Sequence, residues 1–359
     1  MTRPAEAVIN VGNFRSNFLV AKRYAGSARV MAVVKANGYG HGAPILAASI
    51  PEADAFGVAS LEEALALRKT GVRQPIVLLS GFFADAELSE ISSHHFEIVV
   101  HSEQQVESLL KTRLPSPLKV WLKLDTGMHR LGLSPAKFAA QYLRLNTSKN
   151  VSTIRLLSHF ASADTPTDKF NKQQVDLFYS TVLGLKGEIS LANSAALISM
   201  TVSRADWVRP GIMLYGASPF AEEHPVADRL LPVMTLKSRV VAIRDVPVGE
   251  SVGYAHIWAA ERPSIIGTVA IGYADGYPRH APSGTPVLVN GRHVPLVGRV
   301  SMDLISVDLT NSPTAQVGDE VVLWGEGLPA WELADWADTI AYQLFTGVTR
   351  RVAFRYEKS

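Results

Sequence analysis

The chain has 359 residues, of which 47% are hydrophobic and 19% charged, so it is long enough to bury a large core, and we predict two domains. Its formal charge of +2 is near balance and its Lys and Arg residues are scattered, which argues against a nucleic-acid groove and a membrane-binding face. The absence of cysteine excludes disulfides, thiolate nucleophiles and thiolate metal sites, which leaves a small-molecule site as the expectation.

The N-terminus has no apolar core of a signal peptide, and no stretch of the sequence is long and apolar enough to span a bilayer. We therefore expect a cytoplasmic protein with no membrane partner. The ten histidines include the pair His94-His95, but they form no spaced ligand set with carboxylates. No metal site is expected.

The first two thirds of the chain alternate short β-branched runs with amphipathic helical patterns. Segments such as 102–110 and 169–185 are long enough for crossover helices. Eight such alternations predict an α/β fold with a closed parallel (β/α)8 barrel of the TIM type over residues 1–231, with its sites at the C-terminal strand ends. The predicted barrel strands are 29–34, 55–58, 76–79, 97–100, 119–124, 154–158, 189–191 and 207–208.

Lys35 lies where the first predicted strand breaks into a glycine-rich loop, in the sequence Val-Val-Lys35-Ala-Asn-Gly-Tyr-Gly-His-Gly. Gly38, Gly40 and Gly42 let the backbone bend and approach a ligand. A lysine at such a junction can present its amine to a carbonyl group and form a Schiff base. The alternative is a solvated lysine at the rim of a sheet, and the context supplied by the rest of the chain must distinguish the two.

Polar residues also follow the later barrel strands, in the strings Lys123-Leu-Asp-Thr-Gly-Met-His-Arg130, Ser158-His159 and Arg209-Pro-Gly211-Ile212. Ser194 begins a helical stretch after the seventh strand. Its hydroxyl and the amides around Gly211 and Ile212 could donate to a phosphate without a bound cation. A phosphorylated carbonyl cofactor would use all of these parts.

Beyond about Leu231 the pattern changes to strand-like runs separated by turns such as Asn290-Gly291. We predict a second, all-β domain over residues 232–359. It is expected to end with a short helical pattern at 331–344 and a basic, aromatic tail. Its predicted strands are 233–246, 265–271, 285–289, 293–300, 304–309 and 320–323.

Seven sequence motifs occur in order along essentially the whole chain. They are Val-Val-Lys35-Ala-Asn-Gly-Tyr39-Gly-His-Gly, Lys123-Leu-Asp-Thr-Gly-Met-His-Arg130-Leu-Gly, Ser158-His159-Phe, Arg209-Pro-Gly-Ile-Met-Leu-Tyr215-Gly, Val252-Gly-Tyr254, Ile271-Gly-Tyr273-Ala-Asp-Gly-Tyr and Gly298-Arg-Val-Ser-Met302-Asp303. With these motifs the chain resembles the bacterial alanine racemases. The resemblance implies pyridoxal 5′-phosphate as cofactor and interconversion of L-alanine and D-alanine.

The resemblance also implies two catalytic bases. Lys35 would hold the cofactor as an internal aldimine, and once the substrate forms the external aldimine, its freed amine would act on one face of Cα. Tyr254 would act on the other face. Racemisation needs both, because a proton leaves from one face and returns to the opposite one, which a single rigid side chain cannot easily serve. Both groups have reference pKa values near 10, so burial or nearby cations must lower them.

Further cofactor contacts follow from the resemblance. Tyr39 and Ser194 are implied phosphate ligands, and His159 and Arg209 resemble the residues that polarise the catalytic tyrosine. Arg209 would also donate to the pyridine nitrogen and leave it unprotonated, which disfavours a long-lived carbanion. Without the motifs, a core histidine and a structural ion-pair partner are the alternatives. Some relatives have a tyrosine where this chain has Thr349, so one phosphate contact stays unassigned.

Lys123 and Arg130 form a second unit in the resemblance. The matching lysine is often carbamylated in relatives, which would turn Lys123 into an anion able to hold Arg130 against the cofactor and the substrate carboxylate. Unmodified, Lys123 would repel Arg130. The alternative is a rim cation paired with Asp125.

Tyr254, Tyr273, Met302 and Asp303 lie far along the chain from the barrel motifs. In the family they enter the active site of the other subunit, so the resemblance implies a head-to-tail homodimer with two composite sites and an inactive monomer. Tyr273 would narrow the entrance, Met302 would contact the substrate, and Asp303 is assigned to substrate binding with it. Ordinary core or interface packing is the alternative.

Three other functions are alternatives to alanine racemisation. An amino-acid decarboxylase with the same architecture should lack the paired bases, and a non-catalytic pyridoxal-phosphate carrier typically ends before a β-domain. A broad-specificity racemase is commonly exported, whereas this N-terminus shows no export signal.

Ser301 stands where some relatives have cysteine. Supply of D-alanine for peptidoglycan and breakdown of D-alanine would use the same residues.

Overall fold

The structure is a computed structural model that describes residues 3–220, 222, 224–226 and 229–358. It begins with strand β1 (Glu6–Asn10) and helix α1 (Val11–Ala25), which the sequence analysis did not predict. Asn10 caps α1 by accepting from the amide of Asn13 at 2.9 Å. Phe14 and Phe18, one turn apart on α1, are fully buried, so the helix packs on the barrel as an amphipathic element.

Strands β2 to β9 close into a parallel barrel, which confirms the predicted fold. Most of their residues are buried, as expected for parallel strands covered by helices. The strands are β2 (Arg29–Val33), β3 (Ala55–Val58), β4 (Ile76–Leu78), β5 (Glu97–Val100), β6 (Leu118–Lys123), β7 (Val151–Leu157), β8 (Ile189–Ser190) and β9 (Trp207–Val208). The intervening helical segments are α2 (Lys35–Tyr39), α3 (Ala43–Ser49), α4 (Leu61–Lys69), α5 (Glu87–Ser93), α6 (Glu103–Lys111), α7 (Pro135–Asn146), α8 (Lys169–Val182) and α9 (Ser194–Ser199).

The barrel interior is filled by side chains from alternate positions of its strands. One buried cluster consists of Met31, Ala55, Val77, Val99, Trp121, Leu157 and Trp207. The barrel is therefore a packed core and offers functional groups only at its two ends.

Buried charges close the N-terminal end of the barrel. Arg155, which is 8% exposed, pairs with Glu97 at 2.8 Å and with Glu188 at 2.6 Å. The indole nitrogens of Trp121 and Trp207 donate to the same two carboxylates at 2.8 and 2.9 Å. The guanidinium also lies over both indole rings, at 4.9 and 5.3 Å from their centroids. Arg29 also pairs with Glu188, and Lys119 with Glu97, so each of these charges has an opposite partner at this end, where no ligand is predicted.

The second domain is built on strands β10 to β15. β10 pairs antiparallel with β15 along its first half and with β11 along its second half, so six strands form a closed ring. The strands are β10 (Met234–Val246), β11 (Ser264–Val269), β12 (Pro286–Val289), β13 (Arg292–Val297), β14 (Ile305–Asp308) and β15 (Glu320–Trp324). The predicted helical pattern forms two helices, α10 (Ala330–Trp336) and α11 (Ala341–Gly347).

Both ends of the chain join this second sheet. β1 pairs antiparallel with β10 and parallel with β16 (Ala353–Glu357). The N-terminal strand β1 therefore lies in the sheet of the second domain, although the predicted barrel domain spans residues 1–231. The C-terminal segment, which was expected to be a basic, aromatic tail, forms strand β16. Among the described residues, no helix combines the length and the apolar character needed to cross a membrane.

We predict that Arg155→Ala destabilises the protein by about 3–5 kcal/mol, because it leaves two carboxylates without their shared buried cation. Chemical unfolding of wild type and variant measures the effect. The control is Arg144→Ala, since Arg144 pairs with Glu107 on an exposed helix face, and its loss should cost no more than about 1 kcal/mol. Equal effects of the two substitutions would contradict a structural role for the buried network.

Candidate active site

Lys35 follows directly on β2, at the start of a left-handed turn. Five consecutive residues have positive φ angles, which are 53° at Ala36, 52° at Asn37, 65° at Gly38, 48° at Tyr39 and 83° at Gly40. Such angles cost a residue with a side chain about 1–2 kcal/mol, so the surroundings must stabilise the turn. Glu63 accepts from the amide of Ala36 at 2.6 Å, and Asn37 accepts from the amide of Ala43 at 3.1 Å. Backbone strain held in this way is typical of functional sites.

The glycines of this turn face the second domain. A Cβ atom on Gly40 would collide with the carbonyl oxygen of Phe345 on α11, and one on Gly42 would collide with the hydroxyl of Tyr356 on β16. From the sequence, these glycines are expected to let the backbone approach a ligand closely. In the structure, Gly40 and Gly42 instead allow the Lys35 turn to pack against the β-domain.

The turn places Tyr39 against the loop that follows β9. The Tyr39 ring is 7% exposed and lies 4.5 Å from the ring of Tyr215. Its hydroxyl lies beside Gly211, where a Cβ atom would come within 2.6 Å of it. Ser194 Oγ is buried and accepts from the amide of Gly211 at 2.8 Å, and Ile212 is buried next to it. The four predicted phosphate-end residues therefore meet at one point of the rim.

Arg209 directly follows β9 and is 5% exposed. It donates to Ser190 Oγ at 2.5 Å and to the carbonyl oxygens of Ser158 and Leu191 at 2.6 and 3.1 Å. Its Nη2 also lies 3.4 Å from Nδ1 of His159. Because a guanidinium can only donate, Nδ1 is the acceptor in this contact. Burial, followed by the charge of Arg209, holds the pKa of His159 well below its ordinary value, so the ring is neutral and carries its proton on Nε2.

Cationic side chains lie close enough at this rim to perturb one another, namely those of Lys35, Lys123, Arg130 and Arg209. Burial lowers the pKa of Lys35, and Arg130 lowers it further. Lys123 is 7% exposed, and its pKa is lowered to about 8 by burial and then by Arg209 and Arg130. Both lysines are therefore easier to deprotonate than an exposed lysine.

Asp125 offsets only part of this charge, because its carboxylate raises the pKa of Lys123 without forming a direct ion pair with it. Its carboxylate accepts from the amides of Gly127 at 2.9 Å and His129 at 3.1 Å. In the part of the chain that the structure describes, no ion pair within 4 Å joins Asp125 to Lys123. The alternative interpretation of Lys123 as a rim cation paired with Asp125 is not supported, and the rim keeps an excess of positive charge.

These residues fit pyridoxal 5′-phosphate, the cofactor that the resemblance implies. A phosphate carries negative charge and needs several donors, and this rim offers excess cations together with hydroxyl and amide groups at one point. Gly211 leaves the space in which the Tyr39 hydroxyl and the backbone converge. Lys35 supplies an amine of lowered pKa for the carbonyl group. The donor set matches both ends of the cofactor.

The predicted residues of the β-domain are exposed in the single chain. Tyr254 is 68% exposed, Met302 53% and Tyr273 37%. Asp303 differs from them, because its carboxylate pairs with Arg351 of the same chain at 2.5 Å. The barrel residues are thus assembled within one chain, whereas the side chains of Tyr254, Tyr273 and Met302 are exposed in it.

Tyr342 on α11 was not predicted as a site residue. Its ring lies 5.7 Å from that of Tyr39, and burial raises the pKa of its hydroxyl to about 12. It therefore keeps its proton and lies beside a residue predicted to contact the phosphate. Nothing in the local sequence around Tyr342 indicates this position, because only the packing of α11 against the Lys35 turn brings the ring there.

Comparison with known proteins covers the whole chain. The family description "Alanine racemase, N-terminal domain" matches residues 9–219, and "Alanine racemase, C-terminal domain" matches residues 233–356. An alanine racemase of Vibrio vulnificus is 48% identical over 357 residues, which span 99% of this chain and 100% of that protein. One of Pseudomonas fluorescens is 50% identical over 355 residues, which span 99% of each.

Solved structures give the same result. The crystal structure of the biosynthetic alanine racemase of Pseudomonas aeruginosa superimposes with a TM-score of 0.97 at 46% identity, over 99% of this chain and 100% of that one. The alanine racemase of Acinetobacter baumannii superimposes with a TM-score of 0.93 at 36% identity, also over 99% and 100%. Both the sequence and the complete two-domain architecture are shared with these enzymes.

The lowered pKa of Lys123 predicts a pH dependence of stability. Between about pH 8 and pH 10.5 the unfolded chain binds a proton that folded Lys123 has lost, so its contribution to stability rises with pH in that window. Lys123→Met should remove this rise. The difference in unfolding free energy between wild type and variant should change by up to about 3 kcal/mol across the window, as measured by urea unfolding in buffer depleted of carbon dioxide.

The matched control is Lys137→Met, because the side chain of Lys137 lies in solvent at a helix surface. Its stability should follow the wild-type pH profile. Parallel profiles for wild type and Lys123→Met would contradict the burial of a free amine at position 123.

Proposed function

The chain belongs to the bacterial alanine racemase family and is a racemase, and from this premise we propose that it interconverts L-alanine and D-alanine with pyridoxal 5′-phosphate and two bases, Lys35 and Tyr254. The observation that carries the proposal is the placement of Lys35. It lies at the C-terminal end of a barrel strand, in a left-handed turn, and burial together with Arg130 lowers its pKa.

When bound, pyridoxal 5′-phosphate supplies an aldehyde that condenses with amines and a ring that draws electron density from the substrate Cα. Lys35 is the residue that would hold the aldehyde end. Tyr39, Ser194 and the amides of Gly211 and Ile212 would hold the phosphate, and their convergence at one point of the rim supports this assignment. Tyr342 would add a further donor from the β-domain.

Lys35 is proposed to take or return a proton at Cα on one face of the substrate. A base at neutral pH must have a sizeable neutral fraction, which an unperturbed lysine lacks. Burial and the neighbouring Arg130 favour the neutral amine, so they support this role. The left-handed turn at residues 36–40 follows Lys35 directly and fixes the backbone on its C-terminal side.

Tyr254 of a second subunit is proposed to serve the opposite face. Its exposure in the single chain supports donation to another copy, as does the exposure of Tyr273 and Met302, which would border the same site. The assembly would be a head-to-tail homodimer with two composite sites. A separated monomer would lack the second base and would be inactive.

His159 and Arg209 are proposed to tune that tyrosine. The neutral His159 ring accepts from Arg209 through Nδ1, so its Nε2–H is free to donate to the phenol oxygen of Tyr254. A donated hydrogen bond favours the phenolate and lowers its pKa. Arg209 itself keeps its proton, so a ring nitrogen facing it would act as an acceptor and stay unprotonated.

Arg130 is proposed to bind the substrate carboxylate, and Lys123 to hold Arg130 in place. With a pKa of about 8, Lys123 has a neutral fraction whose amine can attack carbon dioxide, forming a carbamate and releasing a proton. The carbamate would convert one of the crowded cations into an anion and give Arg130 a partner. Arg130 would then be oriented toward the cofactor and the substrate, and Asp303 would act from the partner subunit.

The boundary between the barrel domain and the β-domain is proposed to lie between residues 231 and 232. The enzyme would act in the cytoplasm, in supply of D-alanine for peptidoglycan or in its breakdown. A decarboxylase is the competing activity, and it differs in its product.

Racemisation of alanine tests the two-base assignment directly. Purified protein with pyridoxal 5′-phosphate should convert L-alanine to D-alanine, as followed by chiral chromatography. Lys35→Ala and Tyr254→Phe should each lower kcat by at least about 10³-fold, because each removes the proton transfer at one face. The control Tyr179→Phe, on the outer face of α8, should leave the rate unchanged. Full activity in either site variant, or carbon dioxide in place of D-alanine, would refute the proposal.

Mixed dimers test whether the site is shared. Dissociated Lys35→Ala and Tyr254→Phe subunits are combined and allowed to reassociate. Half of the dimers should then be mixed, and each should contain one site with both bases intact, so about a quarter of the wild-type activity should return. If both bases came from the same chain, mixing would restore no activity. Each variant carried through the same procedure alone is the control.

A further inference from the structure

Two loops of the β-domain present the side chains that the proposed function assigns to the partner's site. The first loop, residues 272–276, carries Tyr273, and the second, residues 301–303, carries Met302. The amide of Tyr273 donates to the carbonyl oxygen of Ser301 at 3.0 Å, and that of Ala274 to the carbonyl oxygen of Met302 at 3.0 Å. A Cβ atom on Gly272 would collide with both carbonyl oxygens, so the contact requires glycine. The two loops are therefore joined through their backbones.

A buried carboxylate lies at the base of the first loop. Asp275 is fully buried, and its Oδ2 accepts from the amide of Gly272 at 2.9 Å and from Arg3 Nη2 at 2.6 Å. The Nε of Arg351 lies 3.4 Å from its other oxygen. A buried carboxylate needs such partners, because the charge is otherwise desolvated without compensation. The loop is thus tied to arginines near both ends of the chain.

Each of these arginines also reaches the second loop. Arg3 Nη2 donates to the carbonyl oxygen of Asp303 at 2.7 Å, and Arg351 Nη2 donates to the Asp303 carboxylate at 2.5 Å. Both contacts of Arg3 use one nitrogen, Nη2, whereas Arg351 directs Nη2 to Asp303 and Nε to Asp275. Arg3 and Arg351 therefore each bridge both loops, and the Asp303 carboxylate is engaged in this bridge.

We propose that Arg3 and Arg351, through Asp275 and Asp303, are positioning residues that set the place of Tyr273 and Met302 at the entrance of the partner's active site. This inference rests on the proposed function, since it assumes that the two loops border the substrate. We call these four residues the clamp. The clamp acts on the substrate entrance, whereas the cofactor is held by barrel residues on the other subunit. Its loss should therefore change KM for alanine more than kcat or cofactor binding.

The test compares Arg3→Gln with Arg355→Gln in the holoenzyme. Arg355 is a matched control, because it also joins the C-terminal segment to the N-terminal strand, through Glu6, but touches neither loop. Arg3→Gln should raise KM for L-alanine by about tenfold, since small displacements of positioning groups cost this much or more. The absorbance of the bound cofactor should not change, and kcat should stay within about twofold. A wild-type KM in Arg3→Gln, or an equal rise in Arg355→Gln, would overturn the clamp.

A double-mutant cycle tests the other arm of the clamp, the contact between Arg351 and Asp303. If Arg351 acts on the second loop through Asp303, the double variant should raise KM by the same factor as Arg351→Ala alone. Asp303→Ala should raise KM by no more than that factor, because Arg351 also contacts Asp275. If the two single effects multiply in the double variant, Asp303 acts independently and this arm of the clamp is wrong. Should Arg3→Gln fail to fold, Arg351→Gln replaces it, because it removes the contact with the Asp303 carboxylate while Arg3 stays beside Asp275, and it should still raise KM.

Hydrogen exchange separates failure of the clamp from failure of the proposed function. The amides of residues 272–274 should exchange faster in Arg3→Gln than in wild type, and those of Arg355→Gln should not. This result is expected even if the wild-type protein does not racemise alanine, in which case the proposed function fails and the clamp stands as a structural unit. Unchanged exchange in Arg3→Gln would overturn the clamp whatever the activity.

Discussion

Unbalanced positive charge at the C-terminal rim is the constraint around which this barrel is organised. At the opposite end, Arg155 lies between Glu97 and Glu188, which also pair with Lys119 and Arg29, so each of these cations has a carboxylate partner. At the rim, Lys123 and Arg209 are buried without an ion-paired carboxylate in the described part of the chain. Burial first, and then the neighbouring positive charges, lower the pKa of both Lys123 and His159. Like charges held together raise the free energy of the folded chain until an anion joins them. The same repulsion that costs stability therefore prepares the lysines and the histidine for proton transfer.

The Lys35 turn shows how the two domains depend on each other. Its left-handed backbone is unfavourable for Ala36 and Asn37, and it is held by Glu63 within the barrel. The β-domain contributes from outside, because α11 and β16 pack closely on the turn where only glycine leaves room. Strain in the turn is thus offset by contacts from both domains, and the second domain supports the barrel site within one chain as well as across the proposed dimer.

The β-domain is in turn closed by the ends of the chain. β1 and β16 extend its sheet side by side. Arg3 precedes β1 and Arg351 precedes β16, and their side chains contact the exposed loops. Residues that are remote in sequence therefore set the geometry of Tyr273. This arrangement explains why side chains with large exposed apolar surface can still have defined positions in a single subunit.

The sequence by itself determined the barrel, the second domain and the rim residues, because strand patterns and strand ends are local signals and parallel strands bring their ends to one edge. It indicated Lys35, His159 and Arg209 through motifs, and the barrel brings them together. It did not reveal β1, β16 or Tyr342, since their roles depend on partners hundreds of residues away. Tertiary structure alone decided which glycines face the β-domain, which carboxylates are paired, and how far each pKa departs from its ordinary value, because burial and long-range contacts have no local signature in the chain.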